Sequence, residues 1–419
     1  MLIPKLTALV LAASVVVATP IYQRDVDFKW GTDKVRGVNL GGWLVLEPWI
    51  TPSIFQNQEG NPVDEYTLCA RTPNAADILK KHWDSWVSLQ DFQKIKAAGF
   101  NTVRIPIGYW AYKKYLNDPY IQGAAPYIDK AIEWARQTGL KVWIDLHGAP
   151  LSQNGFDNSG QLIKQPAIPG WTQGDSIDAT LGVIQLIANK YAQQSYQDVI
   201  VAIQLLNEPL ASSLTGGTNA VIQYYNDGYG NVRKISNTPV MIHDAFQNGT
   251  FWDGVLAPPN ITGVVVDHHE YQVFNNQLLS LSPEEHRKYV CTNSATYSGK
   301  NRTHWVVVAE WSGAMTDCAA ALNGWQMGAR YEGYYPQSTR IGSCETINYI
   351  DQWSQQLRED TKLYIAAQIA VFEQRTNGWV FWNFKTEGSP EWDLFRLLDN
   401  KIFPQPLDSL SAQIGNCSV

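Results

Sequence analysis

Charge is scarce in this chain. Asp, Glu, Lys and Arg together make up 17% of the 419 residues, below the roughly 25% of an average globular protein. What charge exists runs acidic: 39 Asp and Glu against 32 Lys and Arg give a net charge of −7. That excludes nucleic acid as the main partner, because phosphate binding needs a basic footprint. Long apolar runs are missing too. The longest, Leu6 to Ala18 behind Lys5, falls well short of the roughly 20 residues of a membrane span. It reads instead as a signal peptide over 1–19, cut near Ala18-Thr19-Pro20, with further trimming after Arg24. The last residues, Ile414 to Val419, lack the hydrophobic tail of a lipid-anchor signal. An exported protein without a membrane segment is expected. No repeat and no shift of composition marks a second domain or a linker, so residues 25–419 are expected to form one domain.

Cysteine is sparse as well, with five residues: Cys69, Cys291, Cys318, Cys344 and Cys417. In an exported chain four can pair, in three ways, and one is left over. Sequons stand at Asn248, Asn260, Asn301 and Asn416. No spacing of ligands suits a metal. His268 and His269 are adjacent on an expected strand and so face opposite ways, with no third ligand nearby. No cofactor is expected.

Aromatic residues, by contrast, are plentiful: 17 Trp and 20 Tyr. Many belong to any core, but sugar rings stack on aromatic faces, and the excess leans toward a carbohydrate ligand. The stretch Val199 to Pro209 carries the main argument. It begins as an unbroken aliphatic run, the pattern of a parallel strand covered on both faces. It ends in Asn207-Glu208, and Pro209 stops the ladder. Trp305 to Trp311 repeats the pattern and ends in Glu310. A carboxylate beside an apolar strand is costly to bury unless it has a task or a solvated exit. In a barrel of parallel strands all the C-terminal ends open on one face. Two acids there can act as general acid and nucleophile on a glycosidic bond.

The rest of the chain supplies the other strands. Val35 to Asn39 is the first, followed by Gly41-Gly42 and a loop bearing Glu47 and Trp49. Asp84 to Ala98 has helical spacing, with Gly99 as its stop. Asn101 to Pro106 is the second strand. It contains Arg104, which inside an apolar run needs an anionic partner; a clamp on Glu310 is the expected one. Helices over Ala124–Thr138, Ser176–Ala192, Asn219–Ile235 and Thr361–Glu373 separate further strands. These are Lys141–His147, Pro239–Asp244, Gly263–His269 and Gly378–Phe384. Eight strands alternating with helical segments predict a (β/α)8 TIM barrel. The stretch after the seventh strand is longer than a crossover needs. It holds Cys318 and Cys344, as a stapled insertion would.

Seven stretches together resemble a known family. They are Arg36–Pro52, Thr102–Tyr109, Leu146–Gly160, Gln204–Pro209, Asp267–Phe274, Val307–Asp317 and Gly378–Asp393. In this order they resemble the fungal exo-β-1,3-glucanases of glycoside hydrolase family 5, clan A. The resemblance implies Glu208 as general acid and then base, Glu310 as nucleophile, and Asn207 on the sugar 2-hydroxyl. It implies Arg104, His147, His269 and Tyr271 around the reacting centre, and Glu47 and Trp382 at the non-reducing end. Phe156 and Phe274 would clamp the next sugar, with Asn158 beside them. Two positions depart from the pattern: Glu270 stands where another His is common, and Trp49 where a Tyr is common.

A retaining mechanism requires one carboxyl protonated and one ionised. Arg104 is expected to keep Glu310 charged, and the neighbouring charge to raise Glu208. The resemblance implies disulfides Cys318–Cys344 and Cys291–Cys417, with Cys69 free. The expected activity is release of glucose from β-1,3-glucan at its non-reducing end by a secreted monomer, extracellular or in the cell wall. Transfer to other sugars is expected when acceptors are concentrated. An endo-β-1,6-glucanase or a β-glucosidase on the same scaffold is the neighbouring reading, and a glucan-binding barrel without catalysis is the distant one.

Overall fold

In the computed structural model, which describes residues 26–407 apart from 165, 166 and 301, the aliphatic runs become strands. They are β1 (Val35–Asn39), β2 (Thr102–Gly108), β3 (Lys141–Gly148), β4 (Ile200–Gln204), β5 (Val240–His243), β6 (Val264–His269), β7 (Trp305–Glu310) and β8 (Gly378–Phe381). All neighbours pair in parallel, and β8 pairs back onto β1 to close the barrel. The closure needs a glycine. Gly378 has φ +132°, and a Cβ there would meet the Val35 carbonyl oxygen at 2.1 Å, so no larger residue fits.

The crossover helices lie outside the barrel and bury their apolar stripes against it. Ala125–Thr138 stops at Gly139 in the left-handed conformation, as its sequence indicates. Two expectations are corrected. The helix expected over Asp84–Ala98 is two helices, Ala75–Ser85 and Leu89–Ala97. Ser88 caps the second one, and its side chain and that of Asp91 exchange hydrogen bonds with each other's backbone N–H. This capping box fixes a new start and breaks the run. The crossover from β5 to β6 holds no α-helix, only the short turn Gly249–Trp252.

Inside the barrel, the bottom is filled by Val35, Trp143, Val201, Met241, Val265, Val307 and Val380. Phe28 and Trp30 close it from below. Trp30 stacks on Trp305 at 5.7 Å and donates its Nε1–H to the Val201 carbonyl. Eight of the 17 tryptophans are fully buried, so much of the aromatic excess is packing rather than sugar platform.

The segment between β7 and the helix Gln355–Arg375 is stapled by Cys318–Cys344, whose Cα atoms are 5.2 Å apart. Asp317 organises it by accepting from the backbone N–H groups of Arg330 and Tyr331 at 2.7 and 2.9 Å. Cys69 is free. The Cys291–Cys417 pairing involves Cys417, which lies outside the described residues, as do the leader, the trimming site, Asn301 and Asn416. Asn248 and Asn260 are exposed. Among the described residues, no helix is long and apolar enough to cross a membrane.

Candidate active site

Above the apolar floor, the barrel interior turns polar. Register places Arg104 of β2 between Asn39 of β1 and Trp143 of β3, and its guanidinium lies over the Trp143 ring. Arg104 is fully buried and spends its donors on five acceptors. Nη1 reaches Asn39 Oδ1 and Glu310 Oε1, both at 2.9 Å. Nε reaches Gln204 Oε1 at 2.9 Å, and Nη2 reaches Asn207 Oδ1 at 2.7 Å and Asp145 Oδ2 at 3.1 Å. The planar fork of arginine suits such a multiple hold.

Glu310 ends β7, and its second oxygen accepts from the Tyr271 hydroxyl at 3.1 Å. Glu208 does not end a strand. β4 stops at Gln204, and Glu208 sits in the following loop with φ +44°. A non-glycine residue in that region stores strain, and such strain gathers at functional sites. Its Oε1 lies 2.7 Å from His269 Nδ1, and its Oε2 accepts from Asn158 Nδ2 at 3.1 Å. His269 Nδ1 is also 3.4 Å from Glu310 Oε2. The two carboxylate oxygens are therefore at most about 6.1 Å apart, the sum of their distances to one nitrogen. Inverting pairs stand wider, at about 6.5–9.5 Å, and retaining pairs at about 5–5.5 Å.

His147 ends β3. Its Nδ1 is 2.6 Å from Asp145, its ring stacks on Trp382 at 5.6 Å, and its Nε2 faces the Asn207 amide. Glu47 accepts from Trp49 Nε1 at 2.9 Å, while its other oxygen is buried without a partner.

Glu47, Glu208, His269, Tyr271 and Glu310 open into a cavity of about 510 Å³. Seven of the eight loops at the barrel mouth contribute: Glu47 and Trp49 after β1, Phe156 to Leu162 after β3, Leu210 after β4, Phe246 after β5, Tyr271 and Phe274 after β6, the stapled segment after β7, and Trp382 and Trp392 after β8. Phe156 and Phe274 stand at the mouth, 42% and 45% exposed. The structure thus brings all the site residues expected from the sequence to one end of the barrel.

Sequence reasoning missed the residues that hold them. Asp145 and His147, and Asp267 and His269, are spaced by two on their strands and so share a face. Asp267 accepts from Gln204 and lies 3.1 Å from His269 Nε2. Polar residues at alternate positions of a strand that is otherwise apolar were the readable signal. Asp157 was missed as well. It lines the cavity, and its Oδ2 is buried without a partner. Burial, with Asp64 nearby, raises its carboxyl to about 7. Burial likewise holds Glu47 well above the usual carboxylate range.

The proton balance of the two central acids differs from expectation. Burial favours the neutral form of Glu208, but the hydrogen bond and charge of His269 outweigh it and bring Glu208 down to about 2. Burial raises Glu310, with His269 and Arg104 opposing. His269 itself is raised well above its usual value, because its carboxylate neighbours outweigh its burial. The physical reason is one shared proton. Glu208 as carboxylate beside a cationic His269 holds the same number of protons as neutral Glu208 beside neutral His269. The proton crosses a 2.7 Å contact, so such a pair titrates as a unit.

Glu208, His243 and His269 also present three ligand atoms within 4.8 Å of one another. They do not fit a cation as they stand. His243 Nδ1 accepts the Ala245 N–H at 3.0 Å, so in the neutral ring Nε2 carries the proton and has no lone pair to give. His268 and His269 do face opposite ways: His268 bonds Asp244 and Glu270, away from the site.

The family model for cellulase, glycosyl hydrolase family 5, matches residues 75–388. The chain is 45% identical over 403 residues to "Glucan 1,3-beta-glucosidase 2" of Wickerhamomyces anomalus, covering 93% of this chain and 92% of that one. It is 44% identical over 420 residues to "Glucan 1,3-beta-glucosidase" of Blumeria graminis, covering 98% and 96%. Among solved structures, the rutinosidase from Aspergillus niger superposes with a TM-score of 0.71 at 20% identity, over 90% of this chain and 99% of that one; what is shared there is the fold. The family match runs from the helix Ala75–Ser85, ahead of β2, to Gly388 beyond β8, and on that extent this chain belongs to glycosyl hydrolase family 5 and is a glycoside hydrolase.

Proposed function

We propose that the protein is a secreted exo-β-1,3-glucanase. It removes glucose from the non-reducing end of β-1,3-glucan with retention of configuration, and transfers glucose to other sugars when acceptors are concentrated. The observation that carries the reading is the contact of one His269 nitrogen with both Glu208 and Glu310, which keeps those two oxygens closer than the about 6.5–9.5 Å of inverting pairs. Glu310 attacks C1 while Glu208 delivers its proton to the glycosidic oxygen as the C1–O bond breaks. Glu208 then takes a proton from water as the water oxygen bonds C1 and the Glu310 ester is released. Arg104 and Tyr271 hold the nucleophile in place through its two oxygens. Asn207, fixed by Arg104, faces the sugar 2-hydroxyl.

End-on action is supported by the seven loops that line the cavity. The unpartnered oxygens of Glu47 and Asp157 suit the hydroxyls of a terminal sugar, since buried acceptors require donors. The β-1,3 linkage rests on the names of the relatives. Export rests on the apolar stretch Leu6–Ala18 and the disulfide, which suits an oxidising compartment. Digests of laminarin and pustulan, followed by chromatography and by NMR of the first anomer released, test the reading. β-Glucose from laminarin is expected from the outset. Oligosaccharides without glucose, or α-glucose, would sink it.

A further inference from the structure

His243 is fully buried, and its Nε2 has no hydrogen-bond partner. Such orphans are rare, and each calls for an explanation. The tautomer is fixed by the Ala245 N–H donating to Nδ1, so Nε2 bears the hydrogen and is a donor without an acceptor. The loop is built to make that bond: Ala245 and Phe246 both adopt left-handed φ, +52° and +58°. His243 packs edge-on against His269 at 4.4 Å between ring centres, and one of its ring nitrogens lies within 4.8 Å of a Glu208 oxygen. The charged and titratable groups facing it are Glu208 from the β4 loop, Asp244 beside it, and Asp267 and His269 from β6.

The Glu208–His269 contact holds one proton. His269 Nε2 points its hydrogen at Asp267, so Nδ1 either receives the proton from Glu208 or gives it back. Once Glu208 has protonated the leaving oxygen, that proton is gone. A carboxylate oxygen and a ring lone pair then face each other across 2.7 Å, two acceptors with nothing between them, and they repel. Glu208 needs another donor at the moment it must become a base.

Resting on the reading of Glu208 as acid and then base, we propose that His243 is a positioning residue for the second half of the reaction: its Nε2–H takes up the Glu208 carboxylate after the first proton transfer and holds it toward the incoming water. Asn158 keeps its grip on the other oxygen, so the movement is a pivot. The first step does not need His243, because there Glu208 is held by His269.

The test uses the full-length enzyme with 2,4-dinitrophenyl β-glucoside, whose leaving group departs without acid help. Turnover of this substrate is then limited by hydrolysis of the glucosyl-enzyme. His243→Phe, which lacks the donor, should lower kcat about tenfold or more, the effect of one hydrogen bond to a charged group. It should leave kcat/KM, which reports the first step, within about twofold. Azide, a nucleophile that needs no base, should restore kcat, and His243→Gln, which keeps a donor, should recover part of it. Should His243→Phe fail to fold, His243→Met serves as the donor-free variant. Unchanged kcat, or equal loss of kcat and kcat/KM without azide rescue, overturns the inference. Mass spectrometry of the quenched wild-type enzyme separates this from failure of the underlying reading: no glucosyl adduct on Glu310 would sink that reading itself.

Discussion

Replacing Arg104 with methionine keeps much of its volume and removes its charge. Arg104 contacts Glu310 and Asp145 directly and stands 3.8 Å from Asp267. All three carboxylates lie in the barrel interior, Asp145 and Asp267 without any exposure. Breaking a buried ion pair by deleting one partner costs about 3–5 kcal/mol, because the other charge stays buried and unpaired. That is a large share of the about 5–15 kcal/mol that keeps a typical domain folded. A second consequence is kinetic. Burial already raises Glu310, and Arg104, with His269 and His147, opposes it. An opposite charge at this range lowers a carboxyl, so its loss should raise Glu310 further. Because the proposed nucleophile acts ionised, the acid limb of the kcat/KM profile should move to higher pH. Arg104→Lys keeps the charge and loses the fork, so it should retain the acid limb and lose binding to Asn207. Urea unfolding and pH–rate profiles on an aryl β-glucoside measure both effects. An Arg104→Met enzyme with the wild-type acid limb, unfolding within about 0.5 kcal/mol of wild type, would refute the reasoning.

Other expectations follow from the same geometry. Glu310→Ala should lose activity about 10⁴-fold or more, since it removes the attacking atom; residual hydrolysis near the wild-type rate on laminarin would exclude Glu310 as nucleophile. Glu208→Ala should lose about 10²–10⁴-fold on laminarin and much less on dinitrophenyl glucoside, with azide giving β-glucosyl azide on NMR; an α-product would contradict retention. His268 is raised to about 9 by Asp244 and Glu270, which outweigh its burial. Its folded value exceeds its unfolded one, so its stabilisation is complete below about pH 6.5 and is lost as pH rises through about 9. With 18% of the side chain exposed, about 3 kcal/mol is a ceiling on that loss; unfolding curves of His268→Gln should be flatter between those pH values, and an unchanged slope counts against the pairing. The Cys318–Cys344 bridge spans a sequence separation of 26 and constrains its loop by about 3.5 kcal/mol. Cys318→Ser should make the segment susceptible to limited proteolysis and raise KM for laminarin, while kcat on an aryl glucoside should hold.

The barrel was legible because most strands announce themselves as apolar runs, and two of them lead into Asn207-Glu208 and Glu310. The seven stretches of family resemblance carried the site, and Arg104 inside Thr102–Gly108 showed that the interior holds a charge. What escaped was relational. Asp145, Asp267 and Gln204 matter through the partners that register brings them, and no local pattern names those partners. The split at Ser88 was written in Ser88-Leu89-Gln90-Asp91, a capping signal overridden by the apolar stripe that runs through it. The protonation of Glu208 could not be read either, since it depends on a 2.7 Å contact with a residue two strands away.

Phe28 and Trp30 seal the barrel's floor. The proposed export would remove residues from this same end. A processing cut after Arg24 spares the cork, whereas one beyond Phe28 would unplug it and let solvent reach the stack of valines beneath the charged layer. On the proposed export, the floor would set how far trimming could advance before its product leaks.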